Sequence, residues 1–263
     1  MPSIDAARRR LRLADSHISV LGLLVEENEV PAELEVALAE LRTAGIVVDD
    51  GAIAAELFPL VSTLMKPRVI VRTEITGPQG ILESGAVLGD EFVFVHEGWP
   101  GEAESEYLPV DAPLLGPALA RSVDLHEDIL DGADLSEVIT STTGELDALM
   151  VRMEAVQGVV DIAEFARETG APARLVEVLA QLNCMWRMTV VWKNAHVENP
   201  EPTFTGLAVW DCGMEGYWVR ELPAEPVREG EVTLESPLRV RRTNAKELWQ
   251  AIAGLLPEGS ELG

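Results

Sequence analysis

Apolar positions recur along this chain in two registers, every three to four residues in some stretches and every second residue in others, and the order of those registers is repeated once. Residues 16–27 predict a helix with Ile18, Leu21, Leu24 and Val25 as its stripe and Asp15 or Ser16 available as N-cap. Pro31 opens a second helix carrying Leu34, Ala37, Leu38 and Leu41, which Gly45 ends. Ile46, Val47 and Val48 then meet an Asp50-Gly51 turn, and 53–65 is again helical in pattern. From Pro67 the period falls to two. Val69, Val71, Thr73 and Ile75 share one strand face, while Arg72 and Glu74 lie on the other. Gly77-Pro78-Gln79-Gly80 turns the chain into a strand over 81–88, and Gly89-Asp90 turns it again into 91–95. Phe92, Val93, Phe94 and Val95 are apolar on both faces, the pattern of a strand in the sheet interior. An acidic loop over 97–106, a short strand over 107–110 and a helix over 113–123, striped by Leu114, Leu115, Ala118 and Leu119, complete the run.

The second run has the same grammar. Helices are predicted over 145–156, 161–168 and 172–183, then strands over 185–197, 203–211 and 215–222 and a fourth between 231 and 241. Trp186, Met188, Val190 and Trp192 line one face of the first of these strands. Thr243 and Asn244 cap a closing helix striped by Leu248, Trp249, Ile252, Leu255 and Leu256. The offset between runs is roughly 120 residues, far beyond the period of a solenoid, and implies a duplicated domain. The fold class expected is therefore α+β: a pseudo-two-fold duplicated α/β unit with a central antiparallel sheet and flanking helical bundles. Its divisions are an N-terminal helix (1–29), a first repeat (30–125), a linker (126–144), a second repeat (145–256) and a disordered tail (257–263), the two repeats forming one compact domain.

With 47% apolar and 25% charged residues the 263-residue chain is globular in composition, and its net charge is −25. The charge is uneven: 9 basic against 26 acidic residues up to Thr140, a balance of −17, leaves −8 for the remainder. Such a surface repels phosphate polymers and anionic lipid, which argues against nucleic-acid and membrane partners. Arg8, Arg9, Arg10 and Arg12 form the one basic cluster; no apolar export core follows it, so it reads as a tail or a helix start. The apolar stretch 20–25 is far too short to span a bilayer, and a soluble cytoplasmic protein is expected. Cys184 and Cys212 are too few and wrongly spaced for a disulfide scaffold or a zinc site, and read as buried fillers.

Candidate chemistry is sparse. The sequence has no nucleophile elbow, phosphate loop or dinucleotide fingerprint, so no catalytic residue and no cofactor is assigned. Asp124, His126, Glu127, Asp128, Asp131, Asp134 and Glu137 are dense in oxygen ligands, but Gly132 directly after Asp131 breaks the calcium-loop pattern, and a solvated linker is expected rather than a metal site. His96 and His196 end corresponding strands and would form a shared site only if the fold set them face to face. The N-terminal order of helix, turn, helix and short hairpin resembles a winged-helix unit, yet 54–65 carries no positive charge with which to enter a DNA groove. A winged-helix-derived regulator that binds protein or a small ligand is the alternative this leaves. Trp99, set between Gly98 and Pro100, is a surface aromatic suited to anchoring a partner.

Two segments carry a family resemblance. Ala39-Glu40-Leu41-Arg42-Thr43-Ala44-Gly45-Ile46-Val47 leading to Asp50-Gly51, a helix and a Pro-Arg strand looks like the EspG family of actinobacterial type VII secretion-associated chaperones. Phe165-Ala166-Arg167-Glu168-Thr169-Gly170-Ala171-Pro172, followed by 174–180, is similar to that family's helical segment before its second half-sheet. The stretch Cys184-Met185-Trp186-Arg187-Met188 departs from the family pattern at that point. The resemblance implies a non-enzymatic cytosolic chaperone that holds helical PE/PPE-type export substrates, singly or as a heterodimer, by the tip of the PPE subunit. It nominates two sheet turns for partner contact, the first with Gly77, Pro78 and Gln79 and the second with Glu198 and Asn199, both shorter than the docking loop the family uses.

Overall fold

A computed structural model describes residues 1–5, 7–98, 101–127, 134–155, 160–193, 196, 201–223 and 230–258. The described residues form eleven strands and eight α-helices. In chain order these are β1 (Ser3–Asp5), β2 (Arg10–Ala14), α1 (Asp15–Val25), α2 (Glu35–Thr43), α3 (Phe58–Met65), β3 (Val69–Gly77), β4 (Gly80–Leu88), β5 (Val93–Gly98), β6 (Glu104–Pro109) and α4 (Leu115–Ser122). The chain continues with β7 (Val138–Thr142), α5 (Thr143–Glu154), α6 (Ile162–Thr169), α7 (Ala173–Leu179), β8 (Cys184–Lys193), β9 (Pro202–Asp211), β10 (Tyr217–Arg220), β11 (Pro237–Thr243) and α8 (Ala245–Leu255).

All eleven strands join one antiparallel sheet in the order β1, β2, β6, β5, β4, β3, β8, β9, β10, β11, β7. The two halves meet where β3 pairs with β8, from Val69 opposite Trp192 to Thr76 opposite Met185. Outward from that seam the strand order matches on both sides. β4, β5, β6 and β2 lie to one side; β9, β10, β11 and β7 lie to the other.

One face of the sheet is packed by α4 and α8. Val69, Val71, Trp186, Met188, Val190 and Trp192 point into that layer, all less than a tenth exposed, against Leu119, Leu248 and Ile252. The opposite face carries two separate helical layers. α1, α2 and α3 cover the first half, burying Val20, Leu21, Leu41 and Val61 with Phe94; α5, α6 and α7 cover the second, burying Leu149, Phe165 and Leu175 with Trp210 and Trp218. Strand β5 is thus apolar on both sides because Val95 meets the α4 layer and Phe94 the α1 to α3 layer.

Helix ends follow their caps. Asn244 and Asp161 accept hydrogen bonds from the amides of Glu247 and Glu164, and Thr142 with Glu145 closes a reciprocal capping box on α5. At α1 the cap is unusual: the Ala14 amide donates to Nδ1 of buried His17, whose Nε2 lies 2.8 Å from Glu40 on α2. With Nδ1 accepting, Nε2 carries the proton and donates to the carboxylate.

Several expectations need correction. The segment holding Arg8 to Arg12 is not a tail or helix start: Leu11 and Leu13 alternate with Arg10 and Arg12, so the chain forms β2 with both leucines buried. Residues 1–29 are accordingly not a helix standing apart, because α1 shares one core with α2 and α3. The helix expected over 53–65 is shorter, starting at Phe58 with Pro59 in its first turn, since Ile53 is taken up in a bridge to Val47. The stretch 126–144 is no plain linker. Val138 to Thr142 form edge strand β7, whose alternation of buried Ile139 and Ser141 was hidden by flanking hydroxyl and acidic residues. The acidic loop over 97–106 is narrower as well, because β5 runs on to Gly98 and β6 begins at Glu104. Trp249 belongs to the closing helix but is 44% exposed, whereas Trp186, Trp192, Trp210 and Trp218 are core. The tail from 259 onward lies outside the described residues.

Candidate partner-binding surface

Among the described residues, neither helical layer covers the middle of the sheet on one face. Side chains of β3 that point away from α4 and α8 are Ile70, Arg72, Glu74 and Thr76; those of β8 are Met185, Arg187, Thr189, Val191 and Lys193. No residue of β3 joins either helical core on this face, and β8 contributes Met185 alone. Cross-strand pairing sets Val87, Ile70, Val191 and Phe204 side by side on β4, β3, β8 and β9. This apolar row crosses four strands, about 14 Å at ordinary strand spacing. Ile70 is 44% and Phe204 53% exposed. Beyond Phe204, Leu222 leans over Gly206, where a Cβ would meet its Cδ1 at 3.3 Å.

One step along the strands the surface turns small and charged. Gly85, Arg72, Thr189 and Gly206 form the next row, followed by Glu83, Glu74, Arg187 and Ala208. Arg72 pairs with Glu83 at 2.6 Å and Arg187 with Glu74 at 3.6 Å, so opposite charges offset each other beside the apolar row. Gly85 cannot be enlarged: a Cβ there would lie 2.0 Å from the Val71 carbonyl oxygen.

A salt-bridged cluster lies over Trp218 in the second half, in register with Trp210 and Met185. Arg174 of α7 reaches Glu137 at 2.7 Å and Glu215 at 2.7 Å, and Arg242 of β11 reaches Glu137 at 3.0 Å. Both guanidinium groups lie over the Trp218 ring, at 5.6 and 5.5 Å. The hydrogen bond from Arg174 holds the Glu137 carboxyl below its ordinary range.

Of the residues nominated from sequence, Gly77, Pro78 and Gln79 form the β3–β4 hairpin turn. Pro78 and Gln79 are exposed, and Gly80 adopts φ 97°, a conformation open to glycine. The turn abuts Cys184 at the start of β8 and lies seven residues along β3 from Ile70, about 23 Å. Strands β8 and β9 are joined at their other end, where Lys193 pairs with Pro202 beside Val69. The β3–β4 turn and the ends of β8 and β9 at Lys193 and Pro202 thus lie at opposite ends of the central strands. Glu198, Asn199 and Trp99 lie outside the described residues.

His96 sits on β5, which β4 and β3 separate from β8. Among the described residues no group of three or more His, Cys, Asp or Glu side chains could hold a metal ion, and no helix is long and apolar enough to cross a membrane. Cys212 is fully buried, and burial pushes the half-buried Cys184 thiol up to about 11. Sequence reasoning missed the apolar row. Its signal was present: Ile70 and Val191 are apolar at positions whose strand neighbours on the same face, Arg72 and Thr189, are polar.

No family model matches this chain, and no curated protein matches it significantly. Among solved structures the chain is similar to the Mycobacterium tuberculosis type VII secretion system chaperone EspG5, determined in complex with a PE25–PPE41 dimer. The TM-score is 0.56 at 14% sequence identity, covering 96% of this chain and 99% of that one. The likeness thus extends over the whole molecule and establishes an EspG-like fold.

Proposed function

We propose that this protein is a non-enzymatic chaperone or adaptor of the EspG type, acting in the cytosol to keep a helical type VII secretion substrate soluble before export. The partner is a PE/PPE-like heterodimer or a related helical protein; the reading involves no cofactor, metal, nucleic acid or membrane insertion. The observation that carries it is the likeness, over 96% of the chain, to a chaperone solved with a helical dimer. The exposed Ile70 and Phe204, in one row with half-buried Val87 and Val191, support it, giving an apolar helical tip a place to dock between two helical walls.

The architecture is read as a duplication. β2, α1, α2, α3, β3, β4, β5, β6 and α4 correspond in order to β7, α5, α6, α7, β8, β9, β10, β11 and α8, with matching neighbours in the sheet. The seam of that duplication is the floor of the docking surface, so the partner contacts both halves at once. Gly77, Pro78 and Gln79, with Trp99, Glu198 and Asn199, are proposed as peripheral contacts.

Co-expression with pairs of small helical proteins encoded beside this chain tests the reading. A ternary complex is expected to co-elute in size-exclusion chromatography, with the pair insoluble or aggregated when expressed alone. A pair that is soluble by itself and never co-elutes would remove the chaperone role.

A further inference from the structure

At the first-half end of the apolar row the surface deepens into a cavity of about 230 Å³ between the sheet and helices α1 and α3. Ile18, Leu64 and Met65 form its helical wall; Ile70 and Val87 lead into it from the open row. Within it His96 stacks on Tyr107 at 4.9 Å between ring centroids. Among the described residues neither the imidazole nor the phenol hydroxyl has a hydrogen-bonding partner, although both rings are half-buried. Arg72 and Glu83 stand at the lip, paired to each other.

The site offers no free positive charge: its one cation, Arg72, is paired at the lip. The lip pair is self-neutralising, and burial lowers the His96 pKa, which favours the neutral ring. Its volume exceeds the roughly 150 Å³ that accommodates benzene in an engineered apolar cavity. A leucine or phenylalanine side chain fits, and the half-buried imidazole and phenol hydroxyl are open to meet a carbonyl or hydroxyl beside it. A carboxylate would enter without a free counter-charge and against the Asp15 carboxylate, whose charge reaches both rings.

We infer that the cavity receives one apolar side chain from the tip of the bound helical partner, with His96 and Tyr107 meeting a polar backbone or hydroxyl atom next to it. The inference rests on the chaperone reading, and it adds a specific anchor pocket, located in the first half rather than at the seam. Hot-spot side chains at interfaces fill pockets of this kind, rimmed by contacts that exclude water.

The test has two arms on the full chain. In the first, benzene is titrated while ¹³C-methyl NMR follows the protein alone. Saturable shifts are expected at Ile18, Leu64 and Val87 but not at Ile252 and Leu255 on the other face, and Val87→Phe should abolish them. Wild-type methyls that do not respond saturably overturn the pocket whatever the partner does. In the second arm, a heterodimer that co-elutes with the wild-type chain is expected to bind Val87→Phe at least about tenfold more weakly, the effect of excluding one apolar side chain. Undiminished binding overturns the assigned occupant while the chaperone role stands; a wild-type chain that binds no heterodimer removes that role and the occupant together. Ile18→Phe, approaching from the helical wall, replaces Val87→Phe if that variant does not fold.

Discussion

The two faces of the central strands differ in what covers them, though the same residues' backbones build both. On one face Trp186, Met188, Val190 and Trp192 are sealed under α4 and α8; on the other Ile70, Arg72, Arg187 and Phe204 remain in solvent because each helical layer stops short of the seam. Apolar side chains on the first face stabilise the fold. Equivalent side chains on the second contribute little to the isolated chain and become useful when a partner removes them from water.

The strongest challenge to that contrast is truncation of the sealed face. Met188→Ala, at a position with no solvent exposure, is expected to cost about 2–5 kcal/mol in urea unfolding, from lost transfer energy plus a cavity. Phe204→Ala on the open face should change stability by less than about 1 kcal/mol. Its expected effect is on recognition, with partner affinity falling by roughly ten- to a hundredfold in calorimetric titration if Phe204 is an interfacial anchor. Similar stability losses for both variants would erase the distinction between the faces.

The salt-bridged cluster over Trp218 sharpens the comparison by asking what ions add to the second half's core. Glu137→Gln leaves Arg174 and Arg242 sharing fewer acceptors and is expected to cost about 1–2 kcal/mol at pH 7. Because its folded pKa is depressed, mainly by the Arg174 hydrogen bond, Glu137 stabilises the fold fully above the unfolded carboxylate value. That contribution is lost as pH falls from the unfolded carboxylate value through the lower folded pKa, so the wild-type and Glu137→Gln stabilities should converge only below the folded pKa. A difference that persists unchanged in acid would show that the effect is not ionic. The smallest effect concerns the hairpin: Gly80→Ala at φ 97° is expected to lower stability by about 1 kcal/mol, measured by thermal unfolding, with partner affinity reporting whether the turn shape matters.

Much of the fold was legible because short-range periodicity reports burial directly. The inward face of β8, the strand alternation of β3, the Asn244 cap and the helix stop at Gly45 all follow from residues within a few positions of one another. Strands β2 and β7 were not legible. Each shows only two buried positions, set among arginines in one case and hydroxyl groups in the other, and each is fixed by pairing with a strand almost a hundred residues away. The open row was obscured for a related reason. An apolar residue on a strand shows which face it occupies, but not whether a helix arrives to cover it.

The sequence by itself determined the types and order of most elements, the repetition of that order, an acidic surface and the lack of a recognisable catalytic motif, all properties of local pattern and composition. The tertiary structure alone decided that β3 and β8 join two half-sheets into one, that among the described residues the helical layers stop short of the seam, and that His96 and Tyr107 share a cavity. Those outcomes depend on strand pairing and layer spacing between residues distant in the chain, which no local period encodes.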